Sequence, residues 1–216
     1  MESLLFSIDS NKYRVIDISY LVTPGSNPER PFDVSRGLLA DNSYKYDVHN
    51  THTHVGTHVE SSAHFFDDGT PIDEYDINAF HGRGVLLEVD LPPDQLHISS
   101  DYIDSRIGGL VREGDVVVCR NVTNSWQDKR YLTEDAALYL KAKKIKMIVF
   151  GDGVSMGESV DKGRRFHEIL MRETTFLEIV SGLEKITKPE FFVMALPVLI
   201  KGLDSSWCRA IVIEER

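Results

Sequence analysis

Gly114-Asp-Val-Val-Val-Cys119 is followed by a helix-like stretch over residues 133–143 and then by Ile145-Lys-Met-Ile-Val-Phe150. Together, these three segments decide the fold class. The first and last segments are apolar enough to be strands buried on both faces. Thr133 is a candidate N-cap, and the two acids after it lie in the first turn, where the helix dipole favours negative charge. The order strand, helix, strand predicts a βαβ unit with parallel strands.

Further elements are predicted on both sides of this unit. Residues 44–60 alternate loosely between polar and apolar, which is typical of a strand interrupted by functional side chains. We therefore expect an α/β fold, a mixed and mainly β-sheet with flanking helices, in a single domain over residues 1–216. The clearer predicted strands cover 13–19, 84–90, 191–196 and 209–213, and the predicted helices cover 100–107 and 163–172.

Composition limits the classes of function. The chain is 42% hydrophobic and 27% charged, as expected of a globular protein, and its net charge of −10 disfavours nucleic acid and anionic membranes as partners. No apolar run is long enough for a membrane span, and the start has no basic region or cleavage site, so we expect a cytoplasmic protein. Cys119 and Cys208 lie in apolar strand-like runs, which predicts packing roles rather than a disulfide framework.

Histidines are concentrated in one short segment. Five of the eight lie between residues 49 and 64. In an extended chain, His54, His58, Glu60 and His64 share one face because their positions differ by even numbers. Gly56 lies between the first two histidines and would leave room for an ion or a substrate. The alternative is a set of ordinary surface histidines, which fits His49 and His52 better than the others.

Two imidazoles and a carboxylate are a common ligand set for a catalytic divalent metal, with zinc preferred here and manganese as the alternative. His64 is then free to act as an acid or base, since imidazole exchanges protons near neutral pH. No glycine-rich phosphate loop follows a strand, so no organic cofactor is expected. Ser155 lacks a nucleophile-elbow motif and is at most an outer contact of the site.

The segment His54-Val-Gly56-Thr57-His58-Val-Glu60-Ser-Ser-Ala-His64-Phe65 resembles the H-x-G-T-H-x-D-x-P-x-H-F signature of the metal-dependent cyclase/hydrolase family. This family includes bacterial kynurenine formamidase (arylformamidase), isatin hydrolase and a dienelactone hydrolase. The likeness extends to Val15-Ile-Asp-Ile-Ser19 followed by Pro24-Gly25, to Gly151-Asp-Gly-Val-Ser155, and to Arg209-Ala210 in the last strand. It thus covers most of the chain.

The resemblance implies a swivelling β/β/α-type architecture and a homodimer or homotetramer. It also implies one or two divalent ions. Glu60 stands where the family has Asp, so its longer side chain could bridge two ions differently or hold one; Ser62 stands where the family has Pro. The implied metal ligands are His54, His58, Glu60, His167 and Glu178, with His64 as the catalytic acid and base.

The resulting hypothesis is a metal-dependent amidohydrolase. It would cleave a C–N or C–O bond of a small carbonyl substrate, such as an aryl formamide like N-formylkynurenine, by attack of a hydroxide that the metal activates. A lactone or cyclic-amide hydrolase of the same family is one alternative. A non-catalytic metal-binding homologue and a purely structural metal site are two others, and the structural site would need a closed set of four ligands.

Overall fold

The computed structural model describes residues 8–123 and 125–216. Within these residues, strands dominate and three α-helices accompany them. The helices are α1 (Ser100–Ile107), α2 (Glu134–Ala142) and α3 (Val160–Leu170). The strands are β1 (Tyr13–Asp17), β2 (Asp33–Leu38), β3 (Tyr44–His49), β4 (His58–Glu60), β5 (His81–Val89), β6 (His97–Ile98), β7 (Val116–Asn121), β8 (Arg130–Leu132), β9 (Met147–Phe150), β10 (Val154–Met156), β11 (Thr175–Glu178), β12 (Glu190–Pro197) and β13 (Ser205–Glu215).

The main sheet closes into a barrel. Its strand order is β1-β13-β12-β5-β7-β9-β11-β4, and β4 pairs with β13 as well as with β11. One edge of the long strand β13 is shared, because β4 pairs with residues 205–207 and β1 with residues 211–215. Closure leaves few free strand edges, which limits unwanted pairing with other chains. The predicted mixed α/β fold with flanking helices is confirmed.

Alternation along the strands produces two hydrophobic cores. In β7, Val117 and Cys119 belong to a cluster that includes residues of all three helices, whereas Val116 and Val118 belong to a cluster drawn from the barrel strands. This strand is therefore buried on both faces, as its composition predicts. β7 and β9 are parallel and joined through α2, which confirms the predicted βαβ unit. Burial raises the pKa of the Cys119 thiol to about 12.

Several predicted boundaries are corrected. Residues 44–60 are not one interrupted strand: β3 ends at His49, turns follow, and β4 begins at His58. The predicted helix over 163–172 begins earlier, at Val160, because the Ser159 hydroxyl accepts a hydrogen bond from the Lys162 amide. Thr133 precedes α2 as predicted, but its hydroxyl donates to the Ile98 carbonyl oxygen instead of capping the helix. Among the described residues, no helix is long and apolar enough to cross a membrane.

Candidate metal centre

The pairing of β4 with β11 positions the polar side chains of the site. In the antiparallel register, His58 lies opposite Glu178 and Glu60 lies opposite Phe176. Directly opposed residues on paired strands project to the same face. Val59, between His58 and Glu60, projects to the other face and joins the barrel core with full burial. Three site residues thus share one face because the neighbouring residue is anchored in the core.

Gly56 lets the chain enter β4 in the required direction. Its φ is 71°, and an added Cβ would lie 2.4 Å from Cγ2 of Val22. The expected room for an ion or a substrate therefore does not lie where a side chain of this residue would project, although Gly56 lines the cavity beside the site. The space is taken by Val22, and the left-handed conformation favours glycine in any case. The even spacing of the cluster is likewise not that of a strand, since His54 lies in a turn and Ser62–His64 form a 3-10 helix.

Three side-chain atoms converge to form the centre of the site. Nδ1 of His54 lies 2.8 Å from Oε1 of Glu60 and 3.1 Å from Nε2 of His58, and that Nε2 is 3.2 Å from the same Oε1. Ligands at bond lengths of about 2.1 Å around a tetrahedral zinc are separated by about 3.4 Å. The triangle therefore needs to open by only a few tenths of an ångström to surround an ion.

The outer contacts of both histidines leave lone pairs directed into this triangle. Nδ1 of His58 donates to the Gly56 carbonyl oxygen at 2.8 Å, and Nε2 of His54 contacts Oδ2 of Asp204 at 3.0 Å. Such contacts to a carbonyl or carboxylate fix the tautomer of a metal-binding histidine. Two imidazole lone pairs then face a carboxylate oxygen unless each ring takes a second proton. A divalent cation satisfies all three groups.

Besides the spacing of the three ligand atoms, the environment of the two carboxylates shows whether a cation fits this site. Oε2 of Glu60 is buried and has no hydrogen-bond partner among the described residues. Burial alone favours the neutral acid, but contacts with His54 and His58 hold the pKa of Glu60 well below its usual range. Burial, together with the nearby charge of Glu60, raises the pKa of Glu178 to about 8. A buried carboxylate oxygen without a partner and a destabilised second carboxylate both favour a cation bound between these groups.

Glu60 belongs to two groups of potential ligands. His54, Glu60 and His64 offer atoms within 4.8 Å of one another, and so do His58, Glu60 and Glu178. A carboxylate shared by two such groups is suited to bridging two ions. The geometry is equally open to a single ion in the triangle, so the residues fit one ion or two.

His64 lies beside the triangle and is oriented by Asp204. Its Nδ1 is 2.8 Å from Oδ2 of Asp204, and its Nε2 is 3.8 Å from Oε1 of Glu60. The same Oδ2 accepts from His54, so one carboxylate orients both rings. Burial would raise the pKa of Asp204, but these two histidines lower it below its ordinary value. With Nδ1 occupied, Nε2 of His64 is directed toward the centre and can exchange a proton there.

His167 stands close to the cluster but outside both ligand groups. It lies on α3, its Nδ1 donates to the Gly163 carbonyl oxygen at 2.7 Å, and its ring stacks on Phe65 at 5.0 Å. The ring centre is 6.3 Å from that of His64. Burial lowers the pKa of His167, which keeps Nε2 available as a lone-pair donor. The structure thus brings His54, His58, Glu60, His64 and Glu178 together and leaves His167 adjacent.

Ser62, which stands where the signature has Pro, is held in position by hydrogen bonds to its side chain. Its hydroxyl accepts from the Thr70 amide at 2.8 Å and from the Tyr75 hydroxyl at 3.2 Å. These two hydrogen bonds hold the backbone just before His64 in place. Serine replaces the rigidity of proline with side-chain hydrogen bonds.

Comparison with known proteins gives the family. Residues 16–156, more than half of the chain, match the family model Cyclase, described as "Putative cyclase". The chain belongs to the Cyclase family. The matched range contains His54, His58, Glu60 and His64 but ends before His167, Glu178 and Asp204. A search of curated proteins finds no significant match.

Solved structures similar to this Cyclase family member share its fold. A potential metal-dependent hydrolase with cyclase activity is 22% identical, with a TM-score of 0.73 over 94% of this chain and 99% of the other. A predicted metal-dependent hydrolase from Bacillus stearothermophilus is also 22% identical, with a TM-score of 0.72 and coverages of 93% and 98%. Isatin hydrolase A from Labrenzia aggregata is 17% identical, with a TM-score of 0.75 and coverages of 94% and 94%.

Asp204 is the site residue that sequence reasoning missed. It directly precedes β13, whose first two residues, Ser205 and Ser206, are also polar. Ser205 also contributes, since its hydroxyl lies 3.0 Å from Nε2 of His54. A polar break next to a buried strand is the signal that could have drawn attention to it. The distance along the chain from His64 hides the pairing, which depends on β13 lying beside β4.

Proposed function

We propose that this chain is a metal-dependent hydrolase that cleaves a C–N bond, or a C–O bond, of a small carbonyl substrate such as an aryl formamide. The observation that carries the proposal is the triangle of His54, His58 and Glu60, with a buried unpartnered carboxylate oxygen and His64 at its edge. Family membership and the likeness to hydrolases of similar fold support it.

A divalent ion, with zinc preferred and manganese as the alternative, would supply hydroxide at neutral pH and polarise the carbonyl of the substrate. His54, His58 and Glu60 would hold it, and Glu178 is placed to join them or to hold a second ion with Glu60. In this proposal His167 would contribute a further ligand from α3.

His64 transfers the proton in this proposal. Asp204 accepts from Nδ1 of His64 and leaves Nε2 as the atom that takes a proton from the nucleophile and returns it to the leaving nitrogen or oxygen. Since Asp204 also contacts His54, the proton carrier and a metal ligand are held in a fixed relation. The cluster is open to solvent on the side of His64, whose side chain is about one-third exposed.

A cyclic amide is the second candidate substrate class. Isatin is a cyclic amide, and isatin hydrolases are among the proteins of similar structure. The same groups would serve, because ring opening also requires attack on a carbonyl and protonation of the leaving nitrogen. An initial screen therefore compares N-formylanilines with isatin and simple lactones.

The test combines metal analysis with turnover in the parent, His58→Ala and His64→Ala. We expect one or two equivalents of metal in the parent and in His64→Ala, loss of metal in His58→Ala, and a fall in turnover of about 10²–10⁴-fold in His64→Ala. His49→Ala, which removes an exposed histidine of β3, is the matched control and should keep both properties.

Full turnover in His64→Ala would contradict the proton-transfer role. Loss of metal in that variant would make His64 a ligand. A metal-loaded parent that is inert toward amides, lactones and esters would favour a non-catalytic metal-binding homologue, and absence of metal after reconstitution would overturn the proposal.

A further inference from the structure

Two cavities adjoin the metal centre and share part of their wall. The first, about 630 Å³, is lined by Gly56 and Glu178 among others, and the second, about 540 Å³, by Phe65 and His167. Both are also lined by Lys129, Ser155 and Met156. The shared residues make the two cavities one cleft that reaches the centre from both the Glu178 side and the His167 side.

The cleft carries cationic side chains although the chain as a whole has a net charge of −10. Arg30 lines the first cavity, Arg164 the second, and Lys129 both. Apart from Glu178 of the metal centre, the acids in the walls are Glu29 and Glu158. Glu158 is already paired with Lys162 and His97, which leaves the cleft with an excess of positive charge.

Lys129 differs from the two arginines in having no protein partner. Arg30 donates to the His54 carbonyl oxygen, and Arg164 lies over the ring of Phe65 at 5.9 Å. Within residues 8–123 and 125–216, the Lys129 ammonium forms no hydrogen bond or ion pair, and the adjacent Asp128 is paired with Arg130. A free ammonium in the shared wall is available to a ligand from either cavity.

An aromatic surface accompanies this charge. Trp126 lines the first cavity with Lys129 and is 55% exposed. A half-exposed indole provides a flat apolar surface for a ring, while the ammonium provides a strong donor for an anion. The pair is thus suited to a molecule with both an aromatic ring and a negative charge.

We infer that the cleft selects aryl amide substrates whose aromatic part carries a carboxylate away from the scissile carbonyl, and that Lys129 binds this carboxylate. The inference rests on the proposed hydrolase function and specifies its substrate class. Lys129 determines specificity through binding and takes no part in the proton transfer of His64. We therefore expect replacement of Lys129 to change KM and to leave kcat nearly unchanged.

The experiment compares meta-formamidobenzoate with its neutral counterpart meta-formamidobenzamide on metal-loaded protein. We expect the parent to show a KM roughly tenfold lower for the anion, as for one charge-assisted hydrogen bond in a solvated site. Lys129→Gln should remove this preference by raising KM for the anion alone, with kcat nearly unchanged, and Lys129→Arg should restore it. Lys144→Gln makes the same charge change at an exposed position away from the cleft and should behave as the parent.

Equilibrium binding of both compounds, measured by titration calorimetry, separates this inference from the proposed function. If neither compound is hydrolysed but the anion binds more tightly to the parent than to Lys129→Gln, the proposed function fails and the charge selection stands. Equal binding and equal KM for the two compounds in the parent would overturn the inference. The inference would also be overturned if Lys129→Gln weakened the binding of both compounds to the same extent.

Discussion

At several positions in this site, the backbone conformation constrains the residue type as strongly as the chemistry of the side chain does. Gly56 lies in the left-handed region in contact with Val22, and Ile179, directly after Glu178, has a φ of 53°. A β-branched residue in that region is strained and is maintained by its surroundings. The Thr57 hydroxyl donates to the Ile179 carbonyl oxygen at 2.6 Å, which links the two unusual positions. The backbone is thus fixed on both sides of the metal centre.

Replacement of Gly56 by alanine should destabilise the fold. We expect Gly56→Ala to lower the free energy of unfolding of metal-free protein by about 1–3 kcal/mol, because the left-handed conformation is strained for alanine and Val22 must move. Urea denaturation followed by circular dichroism measures this change. Gly109→Ala is the control, since an added Cβ there meets nothing within 4 Å. Equal stability of the two variants would contradict the assignment.

Glu178 should release a proton when metal binds. Its pKa of about 8 means that the carboxyl group is mostly protonated at pH 7 without metal, whereas a ligand must be ionised. We expect Glu178→Gln to release fewer protons per chain than the parent at pH 7, by up to about one, and the difference to shrink as the pH rises above about 8. Calorimetric titration with zinc in buffers of different ionisation enthalpy gives the count.

Glu173→Gln, at an exposed position, is the control for this measurement. An identical proton count in the parent and Glu178→Gln would mean that Glu178 is not a ligand.

At the scale of elements, strand register decides which side chains reach the metal centre. A slip of one residue between β4 and β11 would turn His58 and Glu60 into the barrel core and expose Val59. Burial of Val59 therefore enforces the geometry of its two polar neighbours. His167 depends in the same way on α3, whose position follows from Phe166 and Leu170 in the outer core.

The hairpin formed by β2 and β3 has a face with no partner among the described residues. Its register places six exposed residues on one face: Val34, Arg36, Leu38, Tyr44, Tyr46 and Val48. An isolated two-stranded hairpin is marginally stable in water. We propose that a second copy of the chain covers this face, in keeping with the homodimer or homotetramer that the family resemblance implies.

A double substitution of Leu38 and Tyr46 by serine should therefore shift the protein from dimer to monomer in light scattering after size exclusion. Lys45→Ser with Asp47→Ser, which changes the polar face of the same hairpin, should leave the dimer intact. A monomeric parent would contradict the prediction, as would a dimer that survives the first pair of substitutions.

At the scale of the whole molecule, the barrel and the metal centre are largely independent. Both hydrophobic cores consist of apolar side chains distinct from the proposed ligands. Removal of the metal should therefore lower the Tm without unfolding the chain. A ligand at 100 times its Kd contributes about 2.7 kcal/mol, which corresponds to about 5–10 °C for a chain of this size.

Thermal unfolding with and without chelator, followed by near-ultraviolet circular dichroism, measures this effect. Readdition of zinc should restore the Tm. Loss of the near-ultraviolet signal at 25 °C on chelation would instead support the structural-metal alternative, in which the ion holds the fold together.

The sequence by itself determined the α/β class, the βαβ unit and the segment that holds most of the candidate ligands. These are local properties, because apolar runs, helix signals and clustered histidines act over a few residues. The tertiary structure decided which of these side chains meet. Asp204 reaches His54 and His64 because β13 closes the barrel beside β4, and Glu178 reaches His58 through the register of β4 and β11.

The role of Gly56 also required the fold, since its neighbour Val22 belongs to a distant loop. Contacts between residues far apart in the chain depend on strand order and register, and no local pattern specifies those.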